Sequence, residues 1–332
     1  FKAFVSSFIF HHLRGQVQKF ITSSINATIL KQSMSQIRTI SHTASGASFQ
    51  FHEFGATVIS FKTSSNRECL FVSRDAKLDG SKAVRGGIPL VFPQFGQPDK
   101  SMPQHGFLRN NFWTVDESSA YDNESAAGVS LTLHLKDVKN SRGGKWDENT
   151  KYDVLATFSI NVEAEKMTTE LSIANTGTAG EEFDFQTLQH TYFRVEDGAA
   201  FDAKQCYVKG LEGYAVSDKI TNAEYTLGTD PIVLEGNVDR VYTPPGGKDV
   251  VSVSIGVGGG KVMKLTASGT CDDSAIPVSC VVWNPYKEKA AAMSDFGDDQ
   301  YVEMICVEPG LLGTTSLEAG KSAKLTQVIE LC

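Results

Sequence analysis

The sequence predicts an all-β fold: a large antiparallel β-sandwich of many strands, carried mostly by one domain. Three observations support this. Several segments alternate apolar and polar residues with a period of two, the mark of a half-buried strand. Short Gly, Asn and charged stretches separate them at hairpin spacing. Long amphipathic helices between strands are missing from the pattern, which argues against a doubly wound α/β sheet.

In chain order, Val129–Leu135 sets Val and Leu against Ser, Thr and His. Val154–Val162 places Val154, Ala156, Phe158, Ile160 and Val162 on one face, and Met167–Ile173 repeats the pattern after a turn at Glu163–Lys166. Val250–Ile255 and Val262–Ala267 read as a hairpin around Gly256–Gly260. The last strand, Ala323–Leu331, follows a turn at Glu318–Lys321. The one helical signal is Tyr286–Met293, two turns opening after Pro285.

The chain has 332 residues, 41% hydrophobic and 21% charged, enough to bury a core without staples. The net charge of −8 argues against non-specific binding to nucleic acid or to an anionic membrane. An anionic metabolite remains open to it, provided that arginines gather locally. The six cysteines show no C-x-x-C pair and no zinc-finger spacing, so no structural metal is expected. Residues 1–44 differ from the rest. The first acid is Glu53, while Lys2, Arg14, Lys19, Lys31 and Arg38 precede it. Such a basic, Ser-rich leader is similar to an organellar transit peptide, or is an extension ahead of an internal start at Met34. The expected compartment is cytoplasmic, or plastid or mitochondrion if the leader is genuine. The domain expected to fold is 45–332.

Gly256–Lys261 (GVGGGK) lacks the spacing of a phosphate-binding loop and precedes a strand, so it reads as a hairpin turn. Other segments carry chemistry. Arg85-Gly86-Gly87 places a guanidinium fork beside a backbone that can be closely approached. Pro103–Arg109 gathers Gln104, His105 and Arg109, with Trp113 just beyond as a ring for the apolar face of a polar ligand or, in the plainer reading, a core residue. In Leu188–Arg194, alternation puts Leu188, His190 and Tyr192 on one face. Asp239 stands between apolar positions in VDRVY, and Glu308 ends an apolar run before Pro309-Gly310. Each segment alone also fits a structural role.

Taken in order, RGGIPLVFPQFG, PQHGFLRNNFW, LQHTYFRV, VDRVY, VVWNPY and ICVEPG resemble the glucose-6-phosphate 1-epimerases, a branch of the aldose 1-epimerase (galactose mutarotase) superfamily. The resemblance spans about residue 48 to 332. It implies a galactose mutarotase-like β-supersandwich and an isomerase that interconverts the α and β anomers of hexose 6-phosphates. It further implies His190 as general acid, Glu308 as general base, and Arg85, Gln104, His105, Arg109 and Asp239 as substrate-binding residues. The expected partner is a small hexose 6-phosphate bound by a monomer, with no nucleic acid, membrane, metal or organic cofactor. The expected resting state is an ionised Glu308 with a charged His190, the two lying across the hemiacetal, and Asp239 helps to keep the imidazole protonated. An epimerase of unphosphorylated hexoses would share the acid/base pair but would not need Arg109. A non-catalytic sugar-phosphate-binding module would need neither His190 nor Glu308.

Overall fold

The structure is a computed structural model that describes residues 36–332. Its compact unit runs Thr39–Cys332. Most of the expected leader lies outside the described residues, but its last part, Ile37–Ser41, forms a strand, so folded chain starts earlier than residue 45.

Strands dominate, and they pair antiparallel in two large sheets. The nine-stranded sheet has at its centre Val262–Cys271, Ser322–Leu331, Lys166–Asn175, Val154–Val162 and Ala127–His134. The period-2 segments read from the sequence all lie here, and in Val154–Val162 buried and half-buried residues alternate without a break. Gly258, Gly259 and Gly260 sit in the turn between Val251–Val257 and Val262–Cys271, all with positive φ, as a hairpin turn requires. The helical signal becomes a short helix, Tyr286–Ala291.

The eight-stranded sheet was less visible in the sequence. Across its middle run Val238–Thr243, Ser279–Asn284, Met304–Leu317 and Phe183–Gln189. All six residues of Ser279–Asn284 are buried, as are the first eight of Met304–Leu317, so no apolar–polar alternation marks them. Both faces are covered, by different things. Val282, Ile305 and Val307 join Phe158, Leu171, Leu325 and Ile329 of the other sheet in the main apolar core. Val281, Trp283, Met304 and Cys306 face away from it, in a second cluster with Phe71, Leu188 and Tyr192.

Candidate active site

Strand register builds the site. Asp239 pairs with Trp283, and Trp283 with Cys306. One step along, Val241 pairs with Val281, and Val281 with Glu308. Residues opposite one another in an antiparallel ladder share a face. These two rows therefore put Asp239, Trp283 and Glu308 on the face turned away from the main core.

The neighbouring strand Phe183–Gln189 ends just before His190, whose N–H donates to the Pro89 carbonyl at 2.9 Å. As expected, Leu188 and Tyr192 lie on the site side with His190, whose ring stacks on Tyr192 at 4.8 Å and meets Trp283 edge-on at 5.9 Å. Gln189 and Thr191 point the opposite way into a closed polar network. Thr169 Oγ1 donates to Gln189 Oε1 at 2.6 Å and Thr191 Oγ1 to Gln327 Oε1 at 2.8 Å. Gln189 Nε2 donates to the Leu325 carbonyl at 2.9 Å. The four side chains are buried. Satisfied amide and hydroxyl pairs of this kind hold the backbone on either side of His190 in one place.

Two loops close the site. Gly106 has φ +71°, and a Cβ there would lie 2.0 Å from the Phe92 carbonyl oxygen, so only glycine lets the 103–109 loop approach that carbonyl. Next to it His105 is also left-handed, at φ +68°. Its Nδ1 accepts from the Gly96 N–H at 3.2 Å, which leaves the proton on Nε2 as a donor. Burial, then Arg109, pushes this imidazole well below its usual range, so it is neutral.

Arg85, Gln104, His105, Arg109, His190, Asp239 and Glu308 all line one cavity of about 500 Å³. All seven residues singled out in the sequence are thus brought together. Trp113 is not among the lining residues; it is buried, and its indole N–H donates to the Leu108 carbonyl at 3.0 Å, the plainer of its two readings. Four residues of the site were missed. Trp283 forms part of the wall and was within reach, since it stands in VVWNPY. Lys219 and Lys289 line the cavity without any motif to mark them. Asp295 stands behind Arg85 and accepts from its Nε at 3.3 Å and its Nη2 at 3.4 Å, and Lys82 lies 2.7 Å from the same carboxylate.

The two arginines differ in their surroundings. Arg85 is matched by Asp295, and its Nη1 also donates to the Tyr192 hydroxyl at 3.4 Å. Arg109 donates from Nη2 to the Gln104 carbonyl at 2.8 Å, its Nε is buried without a partner, and no carboxylate pairs with it among the described residues. Burial, then Arg85, lowers its guanidinium to about 10. Arg109 is a cation short of an anion.

His190 Nδ1 lies 3.2 Å from Glu308 Oε1. The angle there does not make a hydrogen bond, and both Nδ1 and Glu308 Oε2 are buried without partners. Burial pushes the Glu308 carboxyl well up, Asp239 adds to it, and Arg109 opposes. Burial, then Arg109 and Arg85, pushes the His190 imidazole well down. Three expectations bear on this pair. Burial works against the expected ion pair of an ionised Glu308 and a charged His190, because desolvation penalises both charges. Asp239 acts on Glu308 rather than on His190, since it faces the same sheet surface one row away. The pair also stands side by side rather than on opposite sides of a gap.

The aldose 1-epimerase family model matches residues 37–330. The chain belongs to that family. It is an isomerase with a galactose mutarotase-like fold. A protein from Cenchrus ciliaris that carries the name "Putative glucose-6-phosphate 1-epimerase" is 33% identical over 78% of this chain and 74% of its own length. One of the same name from Escherichia coli K12 is 29% identical over 88% of this chain and 89% of its own. A crystal structure from Salmonella typhimurium, described as "a putative mutarotase", superposes with a TM-score of 0.70 at 22% identity, over 89% of this chain and 90% of that one, which shows the fold.

Proposed function

We propose that this isomerase interconverts the α and β anomers of a hexose 6-phosphate, with Glu308 and His190 passing the protons and Arg109 holding the phosphate. The observation that carries the substrate class is the unmatched Arg109 in the cavity wall. A neutral sugar would leave this cation uncompensated, whereas a phosphate dianion gives it charge-assisted hydrogen bonds. Lys219 and Lys289 add positive charge to the same cavity, against Asp239. The relatives named glucose-6-phosphate 1-epimerases support the reading.

The chemistry needs one proton on the pair. From the form with that proton on His190, Glu308 takes the proton of the C1 hydroxyl as the bond from C1 to the ring oxygen breaks, and His190 gives its proton to the ring oxygen. An open aldehyde results. After rotation about C1–C2, the C5 hydroxyl oxygen attacks the other carbonyl face. Its proton returns to His190, and the new C1 oxygen takes the proton from Glu308. Both reacting oxygens are bonded to C1, so an acid and a base 3.2 Å apart can address them together. Each assisted transfer is worth about 10²–10⁴-fold. The rate falls on the acid side when the pair gains a second proton and on the alkaline side when it loses its only one. His105 Nε2–H, Asp239 and Gln104 line the same cavity and would hold sugar oxygens, with Trp283 as an apolar wall.

The test is Arg109→Ala assayed on glucose 6-phosphate and on glucose. The loss of charge-assisted hydrogen bonds, at about 1.5–3 kcal/mol each, lowers kcat/KM for the phosphate by about 10- to 100-fold. Glucose is expected to be affected little. Equal losses on both substrates would remove the phosphate assignment.

A further inference from the structure

Cys306 takes no part in these proton transfers, yet it stands beside them. It precedes Glu308 by two residues on one strand, so both side chains leave the sheet on the cavity face. In register it lies between Trp283 and Tyr192, the two rings that flank His190. One donor atom from each of His190, Cys306 and Glu308 lies within 4.8 Å of the others, the one such group among the described residues. All three side chains are at least nine-tenths buried. His190 Nδ1 and Glu308 Oε2 have no hydrogen-bond partners.

We propose that His190, Cys306 and Glu308 form an inhibitory site for a thiophilic divalent cation, with Zn²⁺ the ion that their chemistry selects. Imidazole nitrogen, thiolate sulfur and carboxylate oxygen are the ligand types of zinc, and three protein ligands leave its fourth position open. Tetrahedral bond lengths place such ligand atoms roughly 3.2–3.8 Å apart, so the trio needs to close by about 1 Å at its widest. Mg²⁺ and Ca²⁺ prefer all-oxygen sets and are refused.

Charge also fits. With a thiolate, a carboxylate and a neutral imidazole the complex carries no net charge, so it adds no repulsion toward Arg85 and Arg109. The S–H proton, and the carboxyl proton where present, leave to solvent as the bonds to zinc form, with no change of oxidation state. Cys280 serves as a contrast. It lies on the core face of its strand, in the main apolar cluster, and belongs to no such group.

A bound cation would occupy the atoms that move the C1 and ring-oxygen protons, so zinc and sugar exclude each other. The experiment titrates the full chain with ZnCl₂ against a chromogenic chelator, with and without glucose 6-phosphate, alongside Cys306→Ser, Cys306→Ala and Cys332→Ser. One equivalent is expected to bind the wild type, and the sugar phosphate to weaken it. The Cys306 variants should lose about tenfold or more in zinc affinity while their zinc-free anomer exchange stays at the wild-type rate. Cys332→Ser, which changes an exposed thiol, should bind as the wild type does. MgCl₂ should have no effect.

Wild-type zinc affinity in the Cys306 variants would overturn the proposal. If those variants do not fold, Co²⁺ bound to the wild type must show a thiolate-to-cobalt charge-transfer band, and its absence would overturn the proposal equally. The chelator titration needs no turnover, so its outcome is read independently of the epimerase assignment.

Discussion

The two faces of the strand Met304–Leu317 are made from alternate residues and do opposite work. Ile305 and Val307 turn toward the nine-stranded sheet and join the main apolar core. Cys306 and Glu308 turn the other way, and Glu308 is as deeply buried as its neighbours with one carboxylate oxygen left unpaired. A core face gains stability from burial, whereas the site face gives some of it up to keep a carboxyl dry and basic. One residue of register separates the two roles.

The largest effects should separate those faces cleanly. Glu308→Gln is expected to lower the exchange rate by about 10²–10⁴-fold, read by anomeric line exchange, without loss of fold. Ile305→Ala, three positions away on the core face, should do the reverse. Truncating a buried Ile costs roughly 2–5 kcal/mol of stability by denaturant titration, while kcat of the folded fraction is kept. A catalytic loss in Ile305→Ala equal to that of Glu308→Gln would break the comparison.

The polar network behind His190 lies between these extremes, because it is in the core yet touches the site. Gln327→Leu leaves Thr191 and Thr169 short of a partner, at about 1–3 kcal/mol. If the network positions His190, kcat should fall several-fold with KM unchanged, and Gln327→Glu, which keeps an acceptor for Thr191, should recover part of it. A purely structural network would lower the melting temperature alone.

Much of the site was legible because the residues fall in contiguous motifs. RGG and PQHGFLR stand out through glycines that the backbone needs, with Gly106 packed against Phe92. The nine-stranded sheet was visible in the alternation of Val154–Val162. The eight-stranded sheet was hidden, since strands buried on both faces read as continuous apolar runs. Asp295 was hidden for a different reason. It reaches the site through Arg85, 210 positions away, and nothing local marks it. The desolvation that works against an ionised Glu308 and a charged His190 was equally hidden, because it is a property of packing and not of the motif.

Smaller effects concern pH. Glu308 is raised by burial, so above the ordinary carboxylate range the folded protein binds more protons than the unfolded chain, and stability falls as pH rises through its folded pKa. Glu308→Gln removes this cost. It should melt a few degrees higher than the wild type at alkaline pH, at about 2 °C per kcal/mol, and the gap should close on acidification. Asp239 raises the Glu308 carboxyl. Asp239→Asn should accordingly move the alkaline limb of the pH–rate profile to lower pH and leave the acid limb in place.

The most direct test of the account is two-dimensional exchange NMR at the anomeric protons of glucose 6-phosphate and of glucose, with the wild type and Glu308→Gln. Exchange accelerated for the phosphate far more than for glucose, and lost in the variant, is the predicted result. Acceleration of glucose alone, or full exchange in Glu308→Gln, would contradict it.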